Sequence, residues 1–203
     1  MTSAVLNIDC MDFMKTMPDK FFDLAIVDPP YGLGDSVVNS GGRFKRYENK
    51  NGNWDKEIPT KEYFDELFRV SNNQIIWGGN YFPLPPNKCF LIWDKGQPEN
   101  ISFAMAEYAW TSFNEVAQIY KVRTQGQEQR FHPTQKPIYL YKWLLKNYAK
   151  EGDKIFDSHM GSQSSRIAAY DMGFDYYGCE LDKDYFDSGN KRFEQFKSQL
   201  KIF

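Results

Sequence analysis

The sequence predicts an α/β protein with an open, mostly parallel sheet flanked by helices. Short apolar segments of strand length alternate with amphipathic segments of helical length along most of the chain. Two of the apolar segments end in an aspartate followed by turn residues, which is typical of ligand sites at the carboxyl ends of parallel strands. The 203 residues suit one domain, and a hydrophobic fraction of 41% is enough to fill its core.

The first half of the chain holds four predicted strands and two predicted helices. The strands are expected at residues 4–8, 22–27, 74–77 and 89–93, and the helices at 11–17 and 60–70. Pro18 ends the first helix, and Thr60 is the expected N-cap of the second. Residues 32–58 are rich in glycine, asparagine and charge, which predicts a long loop.

The second half repeats the alternation. Segments 107–113 and 116–122 read as two strands, which we expect to form a hairpin about Asn114. Further strands are expected at 154–157 and 175–179, and helices at 137–148, from Gly161 to Gly173, and at 182–200. Because helices separate the last strands, they are expected to lie parallel in one sheet.

Charge and cysteine content exclude several classes of protein. The net charge of −2 does not indicate a polyanion-binding protein, so any contact with nucleic acid requires a local basic patch. Cys10, Cys89 and Cys179 are far apart and odd in number, which argues against a disulfide framework and favours a cytoplasmic location. With only His132 and His159 besides, we expect no metal site. We also expect no signal peptide and no membrane span.

The most informative motif is Asp28-Pro29-Pro30-Tyr31, directly after a buried strand. The prolines fix the backbone and carry no N–H groups, so an Asp28 oxygen and the Pro29 carbonyl can both accept hydrogen bonds from one NH₂ group. Two acceptors favour a pyramidal amine whose lone pair faces a methyl donor. Tyr31 offers a flat face for stacking on a flipped-out base. The simpler alternative is a turn capped by an aspartate.

With this tetrad the chain resembles the S-adenosylmethionine-dependent amino-DNA methyltransferases, in the permuted group whose catalytic motif precedes the cofactor motif. The tetrad matches the family's catalytic signature. Other matching blocks occur in the family's order: NIDC at 7–10, IWGGNYF at 76–82, WDK at 93–95, HPTQKP at 132–137, FDSHMGSQSS at 156–165 and GCELD at 178–182. The resemblance implies a Rossmann-like methyltransferase fold with circularly permuted motif order.

The resemblance also implies roles for individual residues. Catalysis is assigned to Asp28, Pro29, Pro30 and Tyr31. S-adenosylmethionine is the expected cofactor, held by Asp9, Cys10, Asp28, Lys136, Pro137, Asp157, Ser158, His159, Gly161, Ser162, Ser164, Glu180 and Leu181. Glu180 lies at the end of the next predicted strand after Asp157, where an acidic side chain can accept hydrogen bonds from ribose hydroxyls.

Two positions of the cofactor loop depart from the family's pattern. Members commonly carry Asp-Pro-Phe at its start and a second glycine two residues after the first, whereas this chain has Asp157-Ser158-His159 and Gln163. A side chain at residue 163 is expected either to crowd the ligand or to require another backbone conformation. Because water can take the proton released by methylation, we expect His159 and His132 to pack or form hydrogen bonds and not to act as bases.

The basic residues predict a DNA-binding face beside the cleft. They are Arg43, Lys45 and Arg46 in one loop, and Lys121, Arg123 and Arg130 in another. The alternative for either loop is a solvated charge run. We therefore expect one methyltransferase domain over residues 1–203, with segments 32–58 and 121–136 as candidate DNA-contacting insertions.

The predicted function is transfer of a methyl group from S-adenosylmethionine to the N6 amine of adenine in a flipped-out base. An N4-cytosine DNA methyltransferase is the first alternative, although that branch of the family often carries serine in place of Asp28. A catalytically inactive cofactor- or DNA-binding accessory subunit is the second, and methylation of RNA or of a protein amide is the third. DNA is the predicted partner, while a homodimer and a restriction partner are left open.

Overall fold

A sheet of eight strands forms the centre of the protein. The computed structural model describes residues 1–33, 57–98, 104–122, 131–132 and 134–199. The strands are β1 (Ser3–Leu6), β2 (Phe22–Val27), β3 (Ser71–Trp77), β4 (Phe90–Asp94), β5 (Ala106–Thr111), β6 (Gln118–Lys121), β7 (Lys154–Asp157) and β8 (Asp175–Cys179). They lie in the order β1-β8-β7-β2-β3-β5-β4-β6. Among these eight described strands, β5 alone runs antiparallel to its neighbours, so the predicted mostly parallel sheet is confirmed.

Helices cover both faces of the sheet, as predicted. They are α1 (Cys10–Lys15), α2 (Lys61–Val70), α3 (Ile138–Tyr148), α4 (Ser164–Asp171) and α5 (Lys183–Gln199). The buried side chains of α1 and α2 share one core with Ala25 and Val27, and those of α3 and α4 share another with Leu24 and Ile26. Because alternate side chains of a strand point to opposite faces, β2 is apolar on both. Thr60 holds the N-cap position of α2, but its side chain makes no capping hydrogen bond there.

The predicted hairpin about Asn114 is wrong. Strands β5 and β6 are close in sequence, but β4 lies between them, antiparallel to β5 and parallel to β6. Strand β5 already pairs with β3 on one side and β4 on the other, so it has no free edge for β6. Strand β6 therefore extends the sheet at the outer edge of β4.

Four adjacent strands place acidic residues along one edge of the sheet. Strands β1, β8, β7 and β2 are parallel neighbours, so their carboxyl ends meet at the same edge. Asp157 is the last residue of β7, and Asp28 and Glu180 directly follow β2 and β8. Asp9 follows β1 and begins α1, because its carboxylate accepts a hydrogen bond from the Met11 N–H at 2.7 Å.

Candidate active site

A cavity of about 580 Å³ opens at this edge of the sheet. Its wall is built from the segments that follow β1, β2, β7 and β8, together with residues that precede α3. It is lined by Ile8, Asp9, Cys10, Asp28, Pro30, His132, Thr134, Gln135, Lys136, Tyr141, Ser158, His159, Met160, Gly161, Ser162, Glu180, Leu181, Asp182, Lys183, Asp184 and Tyr185. A small-molecule site at the carboxyl ends of parallel strands agrees with the general rule for open α/β sheets.

The Asp28 carboxylate is held from two sides. The Tyr31 hydroxyl donates a hydrogen bond to Oδ1, and the Lys136 ammonium donates one to Oδ2. Burial and the neighbouring Asp28 raise the pKa of Tyr31 well above its usual value, so this hydroxyl stays protonated and donates. Each carboxylate oxygen has two lone pairs, so Asp28 can still accept a hydrogen bond from a substrate amine.

The Tyr31 ring is enclosed by a turn that follows β3. It stacks on Tyr81, with ring centroids 5.0 Å apart, and the edge of Phe82 approaches it. Gly78 lies against the same ring and has a left-handed backbone, with φ of +69°. A Cβ atom at this position would lie 2.6 Å from Tyr31 Cδ1 and 2.7 Å from Cζ, so only glycine fits.

Gly78→Ala is therefore expected to impair the candidate site. The added methyl group displaces the Tyr31 ring, and the left-handed backbone adds strain of about 1 kcal/mol. We expect turnover to fall at least tenfold, while cofactor affinity stays close to that of the parent because residue 78 does not line the cavity. Gly152→Ala is the matched control, since Gly152 also has a positive φ but no neighbour within 4 Å of a Cβ atom. Equal losses of turnover in both variants would contradict the steric explanation.

The loop after β7 is ordered by two buried acids. Asp157 accepts hydrogen bonds from the His159 N–H at 3.0 Å and the Ser165 hydroxyl at 2.6 Å, and burial raises its pKa to about 7. Glu180 accepts from the Gly161 N–H at 2.8 Å and the Asp182 N–H at 2.9 Å. Burial raises the pKa of Glu180 as well. The two acids thus connect β7 and β8 to the cavity wall.

Gln163 does not crowd the cavity. Its backbone takes the left-handed conformation that a glycine would adopt there, with φ of +58° and ψ of +28°. The side chain is fully buried and points away from the cavity toward α5, where it packs against Gly189. Its amide donates to the Phe186 carbonyl at 3.2 Å and accepts from the Arg166 guanidinium at 2.8 Å. Glutamine can therefore take the place of the family's glycine at residue 163, because its side chain packs against α5 behind the loop.

The two histidines are held neutral by burial. His159 forms a hydrogen bond through Nδ1 with the Ser158 hydroxyl at 2.8 Å, and that hydroxyl forms another with Tyr63 at 2.6 Å. His132 packs on the Tyr185 ring, with centroids 4.3 Å apart, and its Nδ1 lies 3.2 Å from the Thr134 hydroxyl. Burial lowers the pKa of each imidazole to about 4.

This burial predicts a measurable pH dependence of stability. The pKa of His159 is about 4 in the folded chain and 6.5 in its ordinary state, so between these values the unfolded chain binds the extra proton. Stability conferred by His159 is thus present above pH 6.5 and is lost as the pH falls toward 4. Asp157, with its raised pKa, acts in the opposite direction but is common to the parent and the variant.

His159→Phe is therefore expected to reduce the slope of unfolding free energy against pH by up to about 1.4 kcal/mol per unit between pH 4.5 and 6. Urea titrations at several pH values measure this slope. His132→Phe is the companion variant and is expected to give a similar reduction, because its imidazole has the same folded pKa of about 4. Unchanged slopes in both variants would show that these imidazoles are protonated in the folded chain.

The cavity brings together most of the predicted cofactor-binding residues. Asp9, Cys10, Asp28, Lys136, Ser158, His159, Gly161, Ser162, Glu180 and Leu181 line it. Pro137, Asp157 and Ser164 do not; Asp157 is buried behind the wall, and the Ser164 hydroxyl bonds to Arg192 at 2.9 Å. Of the predicted catalytic residues, Asp28 and Pro30 line the cavity, whereas Pro29 and Tyr31 lie beside it.

One of the six predicted DNA-binding residues falls within the described part of the chain. Arg43, Lys45, Arg46, Arg123 and Arg130 lie outside the described residues. Lys121 is described: it is exposed at the carboxyl end of β6 and lies 3.4 Å from the Asp94 carboxylate. Strand β6 is parallel to β4, which has the same direction as β2, so Lys121 lies at the same edge of the sheet as the cavity.

Several residues of the site were not predicted from the sequence, and three of them contact predicted ones or their loop. Glu107 contacts Lys136, Tyr63 reaches the cofactor loop from α2, and Tyr185 covers His132 from α5. Each is an ordinary member of an apolar or amphipathic segment, so spacing along the chain carries no signal for it.

Known proteins match this chain over nearly its whole length. The DNA methylase family matches residues 87–191, which is half of the chain. The chain belongs to this family. The predicted resemblance to amino-DNA methyltransferases is thereby confirmed, and the DNA methylase is an enzyme of the group that methylates N6 or N4 amines of DNA bases. That it falls in the permuted group stays a prediction.

Individual relatives have low sequence identity to this chain but align with nearly all of it. Type II methyltransferase M2.DpnII of Streptococcus pneumoniae is 24% identical and covers 94% of this chain and 89% of its own. Type II methyltransferase M.HinfI of Haemophilus influenzae is 25% identical over 96% of this chain and 69% of its own. The solved structure of the M1.HpyAVI–SAM complex has a TM-score of 0.64 at 20% identity, covering 94% of this chain and 100% of that one. The PvuII cytosine-N4-specific DNA methyltransferase has a TM-score of 0.66 at 11% identity, covering 98% and 91%. These structures confirm the methyltransferase fold.

Two features are absent from the described part of the chain. In the ranges that the structure describes, no helix combines the length and the apolar character needed to cross a bilayer. Within the same ranges, no three histidine, cysteine, aspartate or glutamate side chains are grouped so that they could hold a metal ion.

Proposed function

We propose that this DNA methylase transfers a methyl group from S-adenosylmethionine to the N6 amine of adenine in a flipped-out DNA base. The observation that carries the proposal is the position of Asp28. Its carboxylate follows β2 at the carboxyl edge of the sheet, lines the cavity and is fixed by Tyr31 and Lys136. An anchored acceptor in the wall of a cofactor-sized cavity is what methylation of an exocyclic amine requires.

The residues around the cavity fit S-adenosylmethionine. The volume of about 580 Å³ lies within the usual range for small-molecule sites, roughly 300–1,000 Å³. Asp9 and Glu180 offer carboxylates to the hydroxyls and the positive charge of such a ligand, and the buried histidines are neutral and add no opposing charge. When bound, S-adenosylmethionine supplies a reactive methyl group on a positively charged sulfur.

The residues of the chain orient the amine. In the proposed reaction, an Asp28 oxygen and the Pro29 carbonyl accept hydrogen bonds from the two N–H groups of the exocyclic amine. The nitrogen lone pair is then directed at the methyl group. The carbon–nitrogen bond forms as the carbon–sulfur bond breaks, and water takes the proton that the methylated amine loses. No enzyme nucleophile is needed, so rate acceleration comes from orientation and from hydrogen bonds suited to the transition state.

Adenine is preferred over cytosine because the tetrad begins with aspartate, whereas the N4-cytosine branch often carries serine there. The test is chromatography with mass spectrometry of nucleosides from DNA treated with the enzyme, with DNA treated with Asp28→Ala as the blank. We expect N6-methyladenine in the first sample and none above background in the second. N4-methylcytosine as the sole product would replace adenine by cytosine in the proposal.

The inactive accessory subunit loses its main support, because the side chain of Gln163 points into α5 and leaves the cavity open. Calorimetry with S-adenosylmethionine tests this alternative directly. We expect saturable heat from one site per chain. A folded protein that binds DNA but gives no heat with the cofactor would favour the accessory role.

DNA contact is proposed for the segments 32–58 and 121–136 of a single domain spanning residues 1–203, acting in the cytoplasm. Lys121, at the sheet edge that carries the cavity, supports this placement for the second segment.

A further inference from the structure

A row of four side chains with alternating charges leads from Asp28 to Lys95. The Lys136 ammonium donates to Asp28 Oδ2 and lies 3.1 Å from Glu107 Oε2. The other Glu107 oxygen, Oε1, lies 2.6 Å from the Lys95 ammonium. The order is thus carboxylate, ammonium, carboxylate, ammonium, contributed by segments that are far apart in the chain.

Lys136 is the buried centre of this row. Only 2% of its side chain is exposed, and the Trp77 ring lies beneath its ammonium at 5.3 Å from the ring centroid. An ammonium this deeply buried needs compensation by opposite charge. Asp28 and Glu107 both provide it, so the ammonium is shared by two carboxylates and does not pair with Asp28 alone.

Glu107 differs from Asp28 and Lys136 in one respect. Asp28 and Lys136 line the cavity, but Glu107 is not among the described residues that do so. It lies in β5, opposite Trp93 of the antiparallel strand β4, so its backbone is fixed by the sheet. Its ion pair with Lys136 is therefore the contact that links Glu107 to the site.

We propose that Glu107 is a positioning residue for methyl transfer, which holds the Lys136 ammonium so that the Asp28 carboxylate keeps its orientation toward the substrate amine. This inference rests on the proposed function. When the charge of Glu107 is removed, Lys136 retains Asp28 as its only carboxylate and shifts toward it. The altered pairing competes with the substrate amine for the same oxygen, and the amine loses its alignment.

The protonation of Lys136 gives an independent readout. Burial alone lowers the pKa of this ammonium, but Asp28 from β2 and Glu107 from β5 outweigh it and raise the pKa above its usual value. The other polar groups that face it are the Tyr31 hydroxyl at 3.4 Å and the neutral His132 imidazole. Burial also opposes ionisation of Glu107, yet Lys136 and Lys95 lower its pKa to about 2, so Glu107 stays charged over the working pH range.

The test compares Glu107→Gln with the parent in kcat, KM for DNA, cofactor affinity by calorimetry and the pH profile of kcat. We expect kcat to fall about 10- to 100-fold, with cofactor affinity within about threefold of the parent. The alkaline limb of the profile is expected to move to lower pH by about one unit, because Lys136 has lost one of its two carboxylates. Glu107→Asp keeps the charge, so we expect a smaller loss of kcat and an alkaline limb close to that of the parent.

Glu66→Gln is the matched control. Glu66 is as exposed as Glu107, at 24% against 25% of the side chain, and is also in an ion pair, but its partner is Arg69 on α2. We expect unchanged kcat in this variant.

The positioning role would be overturned if Glu107→Gln had the kcat of the parent, or if it lost cofactor affinity to the same degree as kcat. If Glu107→Gln does not fold, the test rests on Glu107→Asp. A kcat in Glu107→Asp as low as that of Asp28→Ala would overturn the positioning role. A parent enzyme that binds cofactor but methylates no DNA would instead overturn the proposed function.

Discussion

Asp28→Ala is expected to abolish methyl transfer while leaving cofactor binding largely intact. The variant removes the only carboxylate acceptor that the proposed mechanism gives to the substrate amine, and it also removes the acceptor to which the Tyr31 hydroxyl donates a hydrogen bond. Loss of an interaction that aligns the reacting groups costs at least about 10³-fold in kcat. The measurement is single-turnover methylation of DNA, paired with calorimetry of S-adenosylmethionine binding.

Asp23→Ala provides the control for this experiment. Asp23 belongs to the same strand, β2, but lies at its opposite end, where it accepts a hydrogen bond from the Lys154 N–H at 2.9 Å. We expect a modest loss of stability and no change in kcat. Normal methylation by Asp28→Ala would show that the catalytic assignment is wrong. Equal loss of activity in the two variants would point to general damage to the sheet.

Gly189→Ala is expected to destabilise the protein, although alanine is normally the better residue inside a helix. A Cβ atom at residue 189 would lie 2.6 Å from Gln163 Cγ and 2.7 Å from Cδ. Gln163 cannot turn away, because it is fully buried and held by Arg166 and Asn190. Overpacking costs about 1–3 kcal/mol, which exceeds the helix-propensity gain of about 1 kcal/mol. Because the clash displaces the cofactor loop, cofactor affinity is expected to fall about tenfold.

A double-mutant cycle isolates this contact. In the background of Gln163→Gly the alanine has no side chain to meet, so Gly189→Ala is then expected to be neutral or stabilising in α5. We expect a coupling free energy of at least about 1 kcal/mol from chemical denaturation, and recovery of cofactor affinity in the double variant. Ser188→Ala, at the exposed neighbouring position, serves as the control and should have little effect. Additive effects in the cycle would refute the proposed fit between Gln163 and Gly189.

The central strands were predictable because their apolar runs carry an unambiguous local signal. Strands β2, β7 and β8 have the predicted bounds, since each is a short apolar run ended by a polar residue. The arrangement of β5 and β6 was not predictable in the same way. Nearness in sequence favours a hairpin, but the pairing was decided by which strand edges were free, and β4 comes between the two in space although it precedes both in sequence.

The candidate site shows the same division. The tetrad and the cofactor loop stand next to strand ends, so their position at one edge of the sheet follows from local pattern and from the parallel order of the strands. The effect of Gln163 was open, because crowding depends on which way the side chain leaves the backbone. Only the packed structure shows that a glycine on α5, 26 positions later in the numbering, provides the space.

By itself, the sequence determined the α/β class, the family, the acidic residues at the strand ends and the tetrad that carries the proposed chemistry. These depend on periodicity and on motifs whose residues are adjacent in the chain. The tertiary structure decided which groups surround those motifs: Lys136 between Asp28 and Glu107, Tyr31 against Gly78, and Gln163 against α5. The physical reason is that burial and electrostatic contact depend on distance in space, and residues brought together by a sheet leave no spacing pattern in the sequence.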